Sequence, residues 1–412
     1  MSISTIFIRR GISLFPYQEA FMTTWIDMEE RPRRACLYYR TGAGKTLTAL
    51  GAFMLSSVKT ADTFIGKDVG ALVIAPPSTH ASWQAVADIC KVKVELISHA
   101  KFRQKDYLVP RSMSIIVDEF HLLGGAKGQG FKKIKQIAKT GQGDIIICSA
   151  TPNYNDAERC YCVLSVIDPP RVHGGFLQFL MSNCITRVNP FSATPLVDGF
   201  IHYKNAEEFL STHSRVHFVP DIHSVEIQDI ELASHVDEAF EKFGLVTNRA
   251  WSPVSREAYI SSSSMQTRHL QRRMNVFDEH GLRPEVIEQL EMLIQNAPSK
   301  VLIYSTSAVI LAEVQKFFIS QKALFSLISG SSSTKQKEGE LSRFLFDDDV
   351  YFLLGTAAMA TGTDGIDKVA DTLIIMDDTP DDSARKQLIG RILPRGADSD
   401  ASKKQVYRFV FV

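Results

Sequence analysis

The run Arg40-Thr41-Gly42-Ala43-Gly44-Lys45-Thr46 could cradle a phosphate, and it directly follows a short apolar stretch, Ala35-Cys36-Leu37-Tyr38-Tyr39. Glycines let a backbone turn its N–H groups inward, and a helix start, here Leu47 to Ala52, adds positive potential. In that setting Thr41, Gly42, Ala43 and Gly44 form the cradle. Lys45 reaches the β- and γ-phosphates of a nucleotide, and the Thr46 hydroxyl ligates Mg²⁺. The full pattern has a further glycine where this chain has Tyr39.

Three further groups could complete a phosphoanhydride-cleaving site. Ser114 to Val117 is an apolar run that ends in Asp118-Glu119-Phe120-His121. A carboxylate at a strand end beside a phosphate loop is where Mg²⁺ must be held, which fits Asp118. Glu119 would polarise the attacking water, because hydrolysis needs an oriented nucleophile more than a covalent one. Alone, such a strand end reads as a solvated acidic turn, and the preceding phosphate loop favours the catalytic reading. Ile145 to Cys148 then ends in Ser149-Ala150-Thr151-Pro152. In isolation that is a turn and helix cap, but small hydroxyl side chains there suit a coupling element that bonds the acidic motif.

The elements that must position these groups are visible as short, near-continuous apolar runs: 71–75, 114–117, 145–148, 301–304, 351–354, 372–376 and 406–412. Such runs predict buried parallel strands. Helical patterns at 82–90, 132–139, 308–321 and 334–346 alternate with them, which predicts open parallel α/β sheets. From about Pro169 to Arg283 the alternation breaks, with Pro190, Pro195, Pro220, Pro253 and the serine run 261–264. The expected organisation is a lobe at 1–165, a mainly helical insertion or linker at 166–284, and a second lobe at 285–412.

Bulk properties narrow the partners. A chain of 412 residues supports two or three domains with substantial cores. Lys+Arg and Asp+Glu both number 46, so no global basic field exists, and any nucleic-acid contact must be a local patch. The six cysteines form no Cys-x-x-Cys pair, and Cys36 and Cys148 lie in apolar runs, as reduced buried thiols would. Cys160, Cys162 and His173 lack the second pair that a zinc site requires. No run reaches the length of a membrane span. Met1 to Arg10 carries Ser, Ile, Phe and two Arg, as a targeting peptide can, yet a motif already begins at Leu14, so it reads as mature structure. A cytoplasmic, nucleoid or nuclear monomer is expected.

In this order, Thr-Gly-x-Gly-Lys-Thr, Asp-Glu-x-His and Ser-Ala-Thr resemble helicase superfamily two, and the resemblance covers nearly the whole chain. It implies two RecA-like parallel-sheet lobes. Leu14 to Phe21 with Trp25 looks like the adenine-reading element, with Gln18 as reader. Leu72 to Pro77 with Trp83 looks like the segment that opens the nucleic-acid path. Thr151 to Pro169 and Ser329 to Phe344 are similar to the Swi/Snf branch. Leu354 to Asp364 resembles the motif that couples the lobes, with Thr356 touching the bound strand and Asp364 facing the nucleotide. Gln387-Leu388-Ile389-Gly390-Arg391-Ile392-Leu393-Pro394-Arg395 resembles the last motif, whose arginines reach the γ-phosphate. Arg391 matches; the second family position holds Pro394, with Arg395 one residue late. Ser149, Ala150, Thr151, His121 and Gln387 are the implied coupling residues.

Two basic clusters are candidates for backbone contact: Lys127, Lys132, Lys133, Lys135 and Lys139, and, at helical spacing, Arg268, Arg272 and Arg273. Either can equally be a solvated face. The implied activity is an ATP- and Mg²⁺-dependent nucleic-acid translocase, with DNA favoured over RNA and targeting supplied by the insertion or a separate protein. The other readings are a nucleotide-gated clamp that does not translocate and a simple P-loop kinase or NTPase, which leaves the second lobe without a role.

Overall fold

The structure is a computed structural model. It describes residues 3–40, 42–56, 70–110, 113–141, 143–150, 157–172, 174–189, 192–219, 225–234, 275–278, 280–360, 363, 365–377, 382–394 and 402–412. The chain divides into two compact units, Met1–Asp221 and Ile222–Val412.

In the first unit the strands are β1 (Arg34–Tyr39), β2 (Gly70–Ile74), β3 (Lys93–Ile97), β4 (Ser114–Val117) and β5 (Ile145–Ser149). An antiparallel hairpin of β6 (Cys184–Arg187) and β7 (Leu196–Phe200) precedes β8 (Val216–Val219). Six of these make one parallel sheet in the order β3-β2-β4-β5-β1-β8. Successive side chains of a strand face opposite ways, and both faces here are covered. Cys36, Tyr38, Ile145 and Ile147 pack with Phe131, Ile134 and Tyr161, whereas Leu37, Tyr39, Ile146 and Cys148 pack with Phe21, Trp25, Leu50 and Phe53. Ile145, Ile146 and Ile147 are fully buried, and each such side chain is worth about 1.5–3 kcal/mol of burial. This double coverage explains why central strands read as continuous apolar runs. All six cysteines are buried, and among the described residues none forms a disulfide.

The second unit contains β9 (Ile227–Leu232), a small hairpin of β10 (Phe277–Asp278) and β11 (Gly281–Leu282), then β12 (Lys300–Tyr304), β13 (Phe325–Ile328), β14 (Phe352–Gly355), β15 (Ala370–Ile375) and β16 (Gln405–Phe411). Its parallel sheet runs β13-β14-β12-β15-β16-β9. Val301 and Ile303 enter one core cluster, Leu302 and Tyr304 the other. The two parallel-sheet lobes expected from the alternating pattern are therefore present.

The described residues of 166–284 do not stand apart from them. Residues up to Asp221 belong to the first unit, where β8 closes the sheet beside β1, and β9 closes the second sheet beside β16. The boundary at 165 thus moves to 221. Residues 235–274, with Arg268, Arg272 and Arg273, lie outside the described residues. Among the described residues no helix is long and apolar enough to cross a membrane.

Candidate active site

The sequence-predicted groups of the first unit gather where strands β1, β4 and β5 end. After β1 the chain turns: Ala43 N–H donates to Arg40 O at 3.2 Å, and Gly42 and Gly44 take left-handed φ values of 81° and 76°. The helix Lys45–Ser56 follows, with Thr48 N–H and Oγ1 both donating to Gly44 O at 3.0 Å. Lys45 Nζ folds back onto its own loop and donates to Tyr39 O (3.0 Å) and Arg40 O (3.4 Å). Lys45 and Thr46 are half-buried, and Ala43 is fully buried.

Gln18 lies on the helix Pro16–Asp27 and is 2% exposed. Its Oε1 accepts from Phe15 N–H (2.9 Å), while Nε2 donates to Ala43 O (3.3 Å). Tyr17 donates to the same carbonyl at 3.1 Å, and its ring meets Tyr39 edge-on. Gln18 and its helix neighbour Tyr17 thus both bond the phosphate loop at Ala43 O.

Asp118 follows β4 and is held at four points. Its N–H donates to Ile74 O (2.9 Å), and its carbonyl accepts from His99 Nε2 (2.8 Å). Oδ1 accepts from Glu119 N–H (3.0 Å) and Oδ2 from the Trp83 indole (3.1 Å). A carbonyl can only accept, so His99 carries its proton on Nε2. Burial and the neighbouring Glu119 push the Asp118 carboxyl above its ordinary range, against the pull of Lys45, the Trp83 bond and the Glu119 N–H. Burial likewise pushes the His99 imidazole down. Glu119 adopts a left-handed backbone (φ 46°, ψ 56°), and its buried Oε2 lies 3.3 Å from His121 Nδ1 and, among the described residues, accepts no hydrogen bond.

Ser149, at the end of β5, is 4% exposed and Ala150 half-buried, while Thr151 lies outside the described residues. The helix Ala157–Ile167 that follows reaches the acidic motif. Arg159 donates to His121 O (2.9 Å), and Glu158 accepts from Ala126 N–H (2.6 Å).

In the second unit, Thr356 follows β14, its N–H donating to Ile328 O at 3.1 Å. Gln387 lies on the helix Asp382–Ile389 and Arg391 in the turn behind it, both half-buried; Leu388 and Ile392 anchor this segment in the core. Asp364, Arg395 and, in the first unit, Thr41 lie outside the described residues.

Three expectations change. Lys133 does not face solvent: its Nζ donates to Phe102 O and Gln104 O at 2.9 Å and to Tyr107 O, over the Phe102 and Tyr107 rings. Lys135 turns onto Tyr161, bonding its hydroxyl and stacking over its ring. An amphipathic helix, Gln129–Thr140, accounts for this, because a lysine stem covers apolar surface while the head seeks carbonyls. Lys127, Lys132 and Lys139 remain exposed. Trp83, expected along a nucleic-acid path, is 1% exposed and points at Asp118. Tyr17 and His99 were not singled out from sequence, because only tertiary contact relates them to the site.

Residues 284–395 match the family described as the helicase conserved C-terminal domain. No curated protein matches the chain. Among solved structures, the chain is similar to the Sulfolobus solfataricus SWI2/SNF2 ATPase core in complex with dsDNA (15% identity, TM-score 0.42, 97% of this chain and 88% of that one). It is similar to the core domain from the same organism at 15% identity and TM-score 0.41, over 97% and 86% of the two chains. The C-terminal part of the Fun30 ATPase domain matches at 16% identity and TM-score 0.27, over 31% of this chain and 39% of that one. The helicase-domain match takes in Thr356, Gln387 and Arg391.

Proposed function

We propose that the protein is a nucleic-acid-stimulated ATPase that moves along or remodels DNA. The observation that carries this is the gathering of a glycine loop, its lysine, the buried Asp118 and the half-buried Glu119 at the ends of β1 and β4 in one parallel sheet. Ligands of open α/β sheets bind outside such strand ends. Backbone N–H groups of Gly42 to Lys45 would hold the phosphates, and Lys45 would exchange its carbonyl partners for phosphate oxygens.

The oxygen donors present suit Mg²⁺. Each Asp118 carboxylate oxygen accepts one N–H and keeps a second lone pair, and Thr46 offers a hydroxyl. Bound there, Mg²⁺ would neutralise phosphate charge. Glu119 would take a proton from the attacking water through Oε2, which lies buried 3.3 Å from His121 Nδ1. Arg391, with Arg395, would stabilise the charge that develops on the transferred phosphoryl group. Thr356, Lys127, Lys132, Lys139 and the arginines at 268, 272 and 273 are the candidates for the strand backbone. DNA is favoured over RNA by the Swi/Snf-like residues at 151–169 and 329–344.

An ATPase panel over single-stranded DNA, duplex, forked and four-way DNA, and RNA tests the reading. DNA should raise turnover above the basal rate. Turnover that no polynucleotide changes would leave an ordinary NTPase, and nucleotide-dependent binding without movement would leave a clamp.

A further inference from the structure

We infer that Trp83 is a positioning residue for Asp118: its indole N–H fixes the carboxylate in the orientation in which it presents its remaining lone pairs to Mg²⁺. The inference rests on the reading of Asp118 as the Mg²⁺-holding carboxylate.

The observations are geometric. The indole Nε1 lies 3.1 Å from Asp118 Oδ2, both side chains are nearly inaccessible (1% and 7% exposed), and the contact joins elements far apart in sequence. Trp83 sits on the helix His80–Cys90, which is tied to the end of β2 through His80 and Ala75 O (3.1 Å). The same strand end receives Asp118 N–H through Ile74 O. The indole and the carboxylate are therefore fixed to one framework. An indole N–H donates and never accepts, so its partner must be the carboxylate oxygen and the bond cannot reverse. The Glu119 N–H on Oδ1 fixes the other end, and the two bonds set the torsion of the carboxylate between them. A phenyl ring at position 83 would fill most of the space yet leave Oδ2 without its donor.

Partners of metal ligands commonly control affinity or activity by 10–100-fold, so Trp83→Phe should raise the Mg²⁺ concentration for half-maximal ATP hydrolysis by about 10–100-fold. Affinity for a fluorescent ATP analogue in EDTA should stay within about twofold, because Lys45 and the loop are untouched. Parallel loss of both, or change in neither, overturns the inference.

A second measurement does not need the variant to fold. The chain has three tryptophans, so ¹⁵N-indole spectra of the wild-type protein are simple to assign. The Trp83 N–H should exchange slowly with solvent, move on addition of Mg²⁺ and ATP, and exchange at least about tenfold faster in Asp118→Ala, as the loss of a bond to a charged acceptor requires. An indole resonance indifferent to Asp118→Ala overturns the contact. If the wild-type protein hydrolyses no ATP under any condition, the ATPase reading fails, and the indole spectrum still decides whether Trp83 holds Asp118.

Discussion

A methyl group on Gly44 would sit 2.3 Å from Gln18 Nε2, so the loop backbone and the Gln18 amide touch. Gly44→Ala should therefore suffer twice. Its φ of +76° costs an L-residue about 1–2 kcal/mol, and the clash displaces Gln18. Gly44→Ala should melt lower and bind ATP more weakly. Adding Gln18→Ala should recover part of the loss, with a coupling of about 0.5–3 kcal/mol in a double-mutant cycle. Strict additivity would show that Gln18 already moves aside.

Lys45 and Glu119 should fail differently. Lys45→Ala should abolish ATP binding, whereas Glu119→Gln should bind ATP and lose roughly 10²–10⁴-fold in turnover, as loss of a general base does. Nucleotide titration beside single-turnover hydrolysis measures both. Equal loss of affinity in the two variants would sink this division of roles.

Arg391→Ala should cut turnover by about 10³-fold or more with ATP affinity little changed, if it acts on the transition state. Arg395→Ala measured alongside tells whether the arginine behind Pro394 shares the task. A fall in affinity that matches the fall in rate would mean ground-state binding instead.

Among the lysines the structure separates two outcomes. Lys132→Ala should lower the salt dependence of DNA binding by about one phosphate contact and leave stability alone. Lys133→Ala should lower the melting temperature, because three carbonyls lose their donor, and leave the salt slope unchanged. Reversed results would mean that Lys133 leaves its carbonyls to reach the phosphates.

His217 should make the first unit acid-sensitive. Burial beside Phe21 pushes its imidazole down to about 4 from an ordinary 6.5. The folded state then binds this proton less readily than the unfolded chain. The stability contributed is fully present above about pH 6.5 and is lost as pH falls toward 4. Thermal melts across that window should fall more steeply for the wild-type protein than for His217→Phe.

What the sequence made legible follows from burial. β4 was expected over its observed residues because both of its faces are covered. The helix Thr334–Phe346 was equally plain, and its start is a Ser333–Gln336 capping box. The edge strands were missed. β9 reads Ile-Gln-Asp-Ile-Glu-Leu and β3 begins at an exposed lysine, because an edge strand has polar surroundings that break the apolar run. β8 was hidden within a stretch that has no long apolar run. The phosphate loop and the Asp-Glu pair were legible because their chemistry lies in consecutive residues. The bonds of Trp83 and His99 to Asp118 and of Tyr17 to Ala43 were not, since nothing local to these residues specifies a partner.

The left-handed backbone of Glu119 has a consequence for anyone who engineers this protein. At φ 46° a glycine would relieve about 1–2 kcal/mol of conformational cost. A library screened only for heat resistance should therefore enrich Glu119→Gly, and the survivors would be sturdier proteins that have lost the proposed general base. Thermostability and turnover compete at this one codon, so any selection for robustness must carry an activity filter to keep the carboxylate.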